Sequence, residues 1–146
     1  RHPAPLRPLR AAAARILNAL GCPEETELSV TIVGDRAIHR LNRDYLGKDR
    51  PTNVISFSLR EGEFGDLTPH ALGDVVISAD TAAREAASGG LHSYERLVFL
   101  LLHGILHLCG YDHERSGEAE ARKMERKQQD LWKLLQREQL SSLPAC

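Results

Sequence analysis

Cysteine is scarce in this 146-residue chain and odd in number. Cys22, Cys109 and Cys146 form no Cys-x-x-Cys pair, and their scatter gives no disulfide framework, so three reduced thiols in a cytoplasmic protein are expected. Long apolar runs are also missing. The longest, Leu97 to Leu102, is six residues, against the roughly 20 a bilayer span needs. The start, Arg1-His2-Pro3-Ala4-Pro5, has no apolar signal-peptide core. It also lacks an initiator Met, so the natural chain is expected to begin upstream. Charge of one sign is not in excess: 19 Lys and Arg face 20 Asp and Glu, which excludes a polycationic tail but not a local basic patch. No segment repeats. Apolar residues at 42% and charged residues at 27% sit near the globular average, which argues against disorder. The length suits one domain over residues 1–146, large enough to bury a core without staples.

Helix and strand signals alternate. Pro8–Leu20 is Ala-rich and reads as a helix, with Gly21 as its left-handed cap. Glu27–Val33 alternates and reads as a strand. Asp35 is placed to cap a short helix running through Tyr45. Asn53–Phe57 and Asp74–Ser78 read as two more strands, separated by a polar loop over 61–71. A helix begins at Ser78 or Asp80 and ends at Gly89-Gly90. Ser93–Cys109 is the most apolar helix, hydrophobic all round at its centre, and is expected in the core. Gly117–Leu140 is an amphipathic last helix through Met124, Leu131 and Leu135. Strands between helices predict an α/β (α+β) layer, with the strand order unreadable.

The informative stretch is His103-Gly104-Ile105-Leu106-His107-Leu108-Cys109-Gly110-Tyr111-Asp112-His113. Positions i and i+4 share one helix face, with Cβ atoms roughly 6 Å apart, so His103 and His107 can grip one metal from one side. Gly110 permits positive φ and lets the chain turn back, which brings His113 up as a third nitrogen. Three protein nitrogens leave a fourth tetrahedral position open, the pattern of catalytic rather than structural zinc. Three histidines also suit nickel, cobalt or copper. Two polar rings on so apolar a helix need partners, since burying each unpaired costs roughly 1–3 kcal/mol. The other histidines, His2, His39, His70 and His92, have no such spacing and read as surface residues. The spacing H-x-x-x-H-x-x-G-x-x-H is shared with metzincin proteases, but their general-base Glu follows the first His, where this chain has Gly104. A protease is disfavoured on that ground. Asp112 is open to two readings, a turn residue or a group that orients a ligand or serves as base. Glu114 reads as solvated.

These residues resemble the signature of the YbeY family, the rRNA maturation endoribonucleases, whose pattern runs H-G-x-L-H-L-x-G-Y-D-H. Gly47 to Phe57 (GKDRPTNVISF) and Leu72 to Ser78 (LGDVVIS) resemble it too, so the likeness covers roughly Leu28 to Leu135. The resemblance implies a single domain with a small mixed sheet packed against helices. It puts a metal site at the end of a buried central helix, with one Zn(2+) per chain held by His103, His107 and His113. It also implies a metal-dependent, single-strand-specific endoribonuclease acting on the 3′ end of small-subunit rRNA and in ribosome quality control. The compartment would be cytoplasm, or the matrix of an organelle. Ribosomal RNA and the small subunit would be its partners, with no membrane. Family members usually begin with a strand before the first helix, and none is read here. They also usually carry an Arg between the Tyr and Gly of Tyr45-Leu46-Gly47. Leu46 cannot fork onto a phosphate. Either Arg43 or Arg50 supplies that charge, or the protein is mainly a ribosome-associated zinc-binding factor with little nuclease activity.

The charge pattern is polarised. Arg36, Arg40, Arg43, Lys48 and Arg50 face only Asp44 and Asp49 within that segment, a local surplus of 5 − 2 = +3. Such a segment beside the histidines would attract phosphates, though on charge alone a solvated helix face is the favoured reading. Aromatics are few, 5% of the chain, which disfavours broad sequence-independent base stacking as the main mode. The leading expectation is a zinc-dependent RNA hydrolase with His103, His107 and His113 on the metal. Arg43, Lys48 and Arg50 would lie on phosphate, and Asp112 is a candidate catalytic group.

Overall fold

A middle strand buried on both faces needs apolar side chains in both directions, and Leu72, Val75, Val76 and Ile77 supply them. They belong to β3 (Ala71–Ser78), the centre of a sheet ordered β1-β3-β2, with β1 at Glu27–Val33 and β2 at Val54–Ser58. The computed structural model describes residues 5–60, 70–111 and 117–143. β1 runs parallel to β3 and β2 antiparallel, so the sheet is mixed as expected. The observed β3 starts three residues before the predicted one. A register shift opposite Glu27 and Leu28 inserts Leu72 as an extra residue, and this bulge hides the period-2 pattern there.

The helices are α1 (Leu6–Ala19), α2 (Asp35–Leu46), α3 (Ala79–Gly89), α4 (Ser93–Leu108) and α5 (Gly117–Arg137). Side chains alternate across a strand, and this divides the protein into two layers. Val75 and Ile77 point to one face, where α4 packs with α1, α3 and α5 in the main core. Val76 and Ile55 point to the other face, where α2 covers them through Ile38. Ten residues of α4, from Tyr94 to Leu108, are buried, in line with its apolar sequence.

Asp35 corrects one expectation. Gly34, not Asp35, is the N-cap of α2. Asp35 is the first helical residue and is a hub instead. Ser78 Oγ and Thr81 Oγ1 each donate to its Oδ1 at 2.7 Å, and an Arg84 guanidinium NH2 donates to its Oδ2 at 2.7 Å. Asp80 Oδ2 accepts from the Asp35 backbone N–H at 3.0 Å, meeting an orphan donor of α2. The Thr81 and Ser78 hydroxyls, with Arg84 a lesser cause, hold the Asp35 carboxyl from 3.8 down to about 2. Ser78 does cap α3, accepting from Thr81 N–H at 3.2 Å.

Candidate metal centre

The i,i+4 spacing sets two imidazoles side by side on one face of α4. His103 and His107 are half-buried, with ring centroids 4.7 Å apart and Nε2 atoms 3.2 Å apart. Two nitrogens bound at about 2.0–2.1 Å to one tetrahedral metal lie about 3.3 Å from each other, so the spacing fits the edge of such a polyhedron. Beyond the pair, Gly110 has φ +97°, and Tyr111 N–H donates to Leu106 O at 3.0 Å as the chain leaves the helix. His113, Asp112 and Glu114 lie outside the described residues. Among the described residues no three His, Cys, Asp or Glu side chains form a metal-sized group.

Gln128 is a part of the site that sequence reasoning missed. Its Oε1 stands 2.8 Å from His103 Nδ1. An amide oxygen only accepts, so Nδ1 donates in this contact and Nε2 is the ring nitrogen directed at His107. The signal was readable: Met124, Gln128, Leu131 and Leu135 form one i, i+4, i+7 row on α5, and Gln128 is the polar residue in that buried stripe.

Gly104 has a packing reason. Ser56 Oγ donates to its carbonyl at 2.9 Å, and a Cβ at 104 would sit 2.8 Å from Val75 Cγ1 and 3.1 Å from Ser56 Oγ. The helix therefore rests on β2 and β3 at its only residue without a side chain between the two imidazoles. A Glu at this position would drive into Val75 rather than stand beside the histidines. This strengthens the case against metzincin-type chemistry. Two residues past His107, burial pushes the Cys109 thiol up to about 12, with neighbouring Cys22 adding to the shift.

α2, which carries Arg43, packs on the sheet face opposite α4. Arg43 Nε donates to Asp44 Oδ1 at 2.9 Å, and this bond raises the guanidinium pKa further. Arg50 is exposed, and its carbonyl accepts from Asn42 Nδ2 at 2.9 Å. Among the described residues neither Arg43 nor Arg50 bonds to the histidines. Of the remaining histidines, His39 is held by Asp49 at 2.7 Å, and His70 and His92 are exposed, as expected for surface residues.

A mixed three-stranded sheet under a buried helix that presents paired imidazoles defines a small α+β protein with a helix-borne histidine site. A solution structure of TM1509 from Thermotoga maritima shares the fold, with TM-score 0.59 at 21% identity over 97% of this chain and 93% of that one. The family model described as Endoribonuclease YbeY matches residues 5–136, and the chain belongs to the YbeY family. A relative from Geobacter metallireducens named Endoribonuclease YbeY is 64% identical over 140 residues, 96% of this chain and 93% of that protein. One of the same name from Geobacter sulfurreducens is 65% identical over 136 residues, 93% and 90% of the two chains.

Proposed function

We propose that this protein is a metal-dependent endoribonuclease that cuts single-stranded RNA, and that it works in maturation of the 3′ end of small-subunit rRNA. Membership of the YbeY family supports the nuclease activity. The observation that carries the metal dependence is the 3.2 Å Nε2 separation of His103 and His107. These two, with His113, would hold one Zn(2+). When bound, the ion would act as a Lewis acid on a phosphate oxygen or lower the pKa of a water molecule.

The chain's own residues supply the rest. Gln128 fixes the His103 tautomer and ring plane. The buried α4 and its seat on Val75 keep the imidazole pair from splaying. Lys48, Arg43 and Arg50 serve as phosphate contacts that position the strand, and Asp112 orients a ligand or takes a proton. The small ribosomal subunit is the proposed partner and the cytoplasm the proposed compartment. Among the described residues no helix is long and apolar enough to cross a membrane.

The test is cleavage of a single-stranded oligoribonucleotide by the purified protein with and without a chelator. Cleavage is expected to stop with chelator and return with added zinc. His107→Ala should abolish it while far-UV circular dichroism stays native. Equal cutting in the presence of chelator overturns the metal role, and no cutting at any metal loading overturns the nuclease.

A further inference from the structure

Tyr45 stands at the end of α2 with 70% of its surface exposed, beside Leu46, itself exposed. The ring is braced. It meets the Phe57 ring in a T-shaped contact, with centroids 5.7 Å apart and planes at 74°. Phe57 in turn packs on the small cluster of Ile38, Ile55 and Val76, so the platform is fixed by a core rather than carried on a loop.

The charge around it is unbalanced. Both acids of the segment are engaged, Asp44 by Arg43 at 2.9 Å and Asp49 by His39 at 2.7 Å. Arg36, Arg40, Lys48 and Arg50 are exposed, and among the described residues none of them has a carboxylate partner. An exposed aromatic ring in a segment rich in uncompensated cations is complementary to a strand that offers bare bases and phosphates.

The register of β2 ties this patch to the imidazole pair. Ser56 faces α4 and bonds to Gly104, the residue next to His103. The following residue, Phe57, faces α2 and meets Tyr45. Among the described residues β2 is an edge strand, paired only with β3. Ser56 and Phe57, neighbours on β2, thus link the backbone beside His103 on one face of the sheet to the Tyr45 ring on the other.

We propose that Tyr45, braced by Phe57, stacks on one unpaired base of the RNA, while Arg40, Lys48 and Arg50 hold the adjoining phosphates. The proposal rests on the ribonuclease reading and adds to it a positional origin for single-strand preference. In a duplex both faces of a base are already stacked, so only an unpaired base can lie on Tyr45. Stacking is tolerant of base identity, so the platform selects strandedness and not sequence.

The probe is a single-stranded oligoribonucleotide carrying 2-aminopurine, titrated with the full chain in chelator and followed by fluorescence quenching. Wild type is expected to quench the base. Tyr45→Ala should bind about tenfold more weakly at fixed salt and lose most of the quenching. Tyr45→Phe keeps the ring and should match wild type, which separates stacking from any role of the hydroxyl. In cleavage with zinc, Tyr45→Ala should raise KM by about the same factor and leave kcat little changed. Thermal unfolding of the variant checks that an exposed side chain was removed without loss of fold. If wild type cleaves RNA and Tyr45→Ala binds, quenches and cleaves like it, the platform is wrong and the nuclease stands. If wild type with zinc cleaves no RNA, the nuclease reading fails first and this proposal with it.

Discussion

Gly104→Ala is the substitution whose sign the structure decides against the usual rule. Replacing a mid-helix Gly by Ala ordinarily gains about 1 kcal/mol of helix propensity. Here the new methyl would sit 2.8 Å from Val75 Cγ1, 3.2 Å from Val75 Cγ2 and 3.1 Å from Ser56 Oγ. Val75 is fully buried and β-branched, so it has no alternative rotamer to retreat into. Ser56 can move only by giving up its bond to the Gly104 carbonyl. Overpacking of this kind costs about 1–3 kcal/mol, and the upper part of that range applies. The net expectation is a loss of about 1–2 kcal/mol after the propensity gain. In a Val75→Ala background both clashing methyls are gone. The Ser56 Oγ contact at 3.1 Å remains, so the same Gly104→Ala change should then be about neutral, a coupling of about 1–2 kcal/mol. Urea unfolding of the four proteins, followed by circular dichroism and by Trp132 fluorescence, measures it. Equal effects of Gly104→Ala in the two backgrounds, within about 0.5 kcal/mol, would refute the packing argument. The single variant should also weaken metal retention, because relieving the clash moves the helix that sets the imidazole spacing.

Three further outcomes are expected. Asp35→Asn should lose about 1–2 kcal/mol at pH 7. The wild-type carboxyl is depressed from 3.8 to about 2, so its stabilisation is present above the unfolded value and fades as pH falls through the folded one. The gap between variant and wild type should therefore shrink to about half at pH 3, read by urea midpoints, and a gap constant with pH would contradict the hub. Gln128→Leu keeps the helix stripe apolar but frees the His103 ring, and should weaken zinc affinity about 10–100-fold in a competition with a chromophoric chelator. Leu46→Arg adds a cation at an exposed site beside Tyr45, and should steepen the salt dependence of RNA binding by about one in log–log slope, with no change in slope counting against the patch.

Local signals were legible where the backbone is regular. β1 occupies the predicted span, and α4 is buried where its apolar run says it must be. The imidazole pair was readable because i,i+4 spacing translates directly into distance. The bulge at Leu72 was not, since an inserted residue breaks the alternation that marks a strand. The role of Asp35 was not either, because a cap and a first-turn carboxylate look alike in sequence, and the partners Ser78, Thr81 and Arg84 come from another element. Arg43 lies on α2, across the sheet from α4, and the face a helix takes depends on a strand order that one sequence does not reveal. The sparse aromatics argued against stacking as a general mode, and the structure leaves room for it at one place, Tyr45, where sequence position alone gave no hint of its brace on Phe57.

The central claim is that His103 and His107 are two arms of one metal site. Elemental analysis of untagged protein, purified without added metal, tests it most directly when wild type and His103→Ala are compared. The account predicts about one zinc per wild-type chain and almost none in the variant. Equal metal content in the two proteins, or none in wild type after zinc is offered, would contradict it.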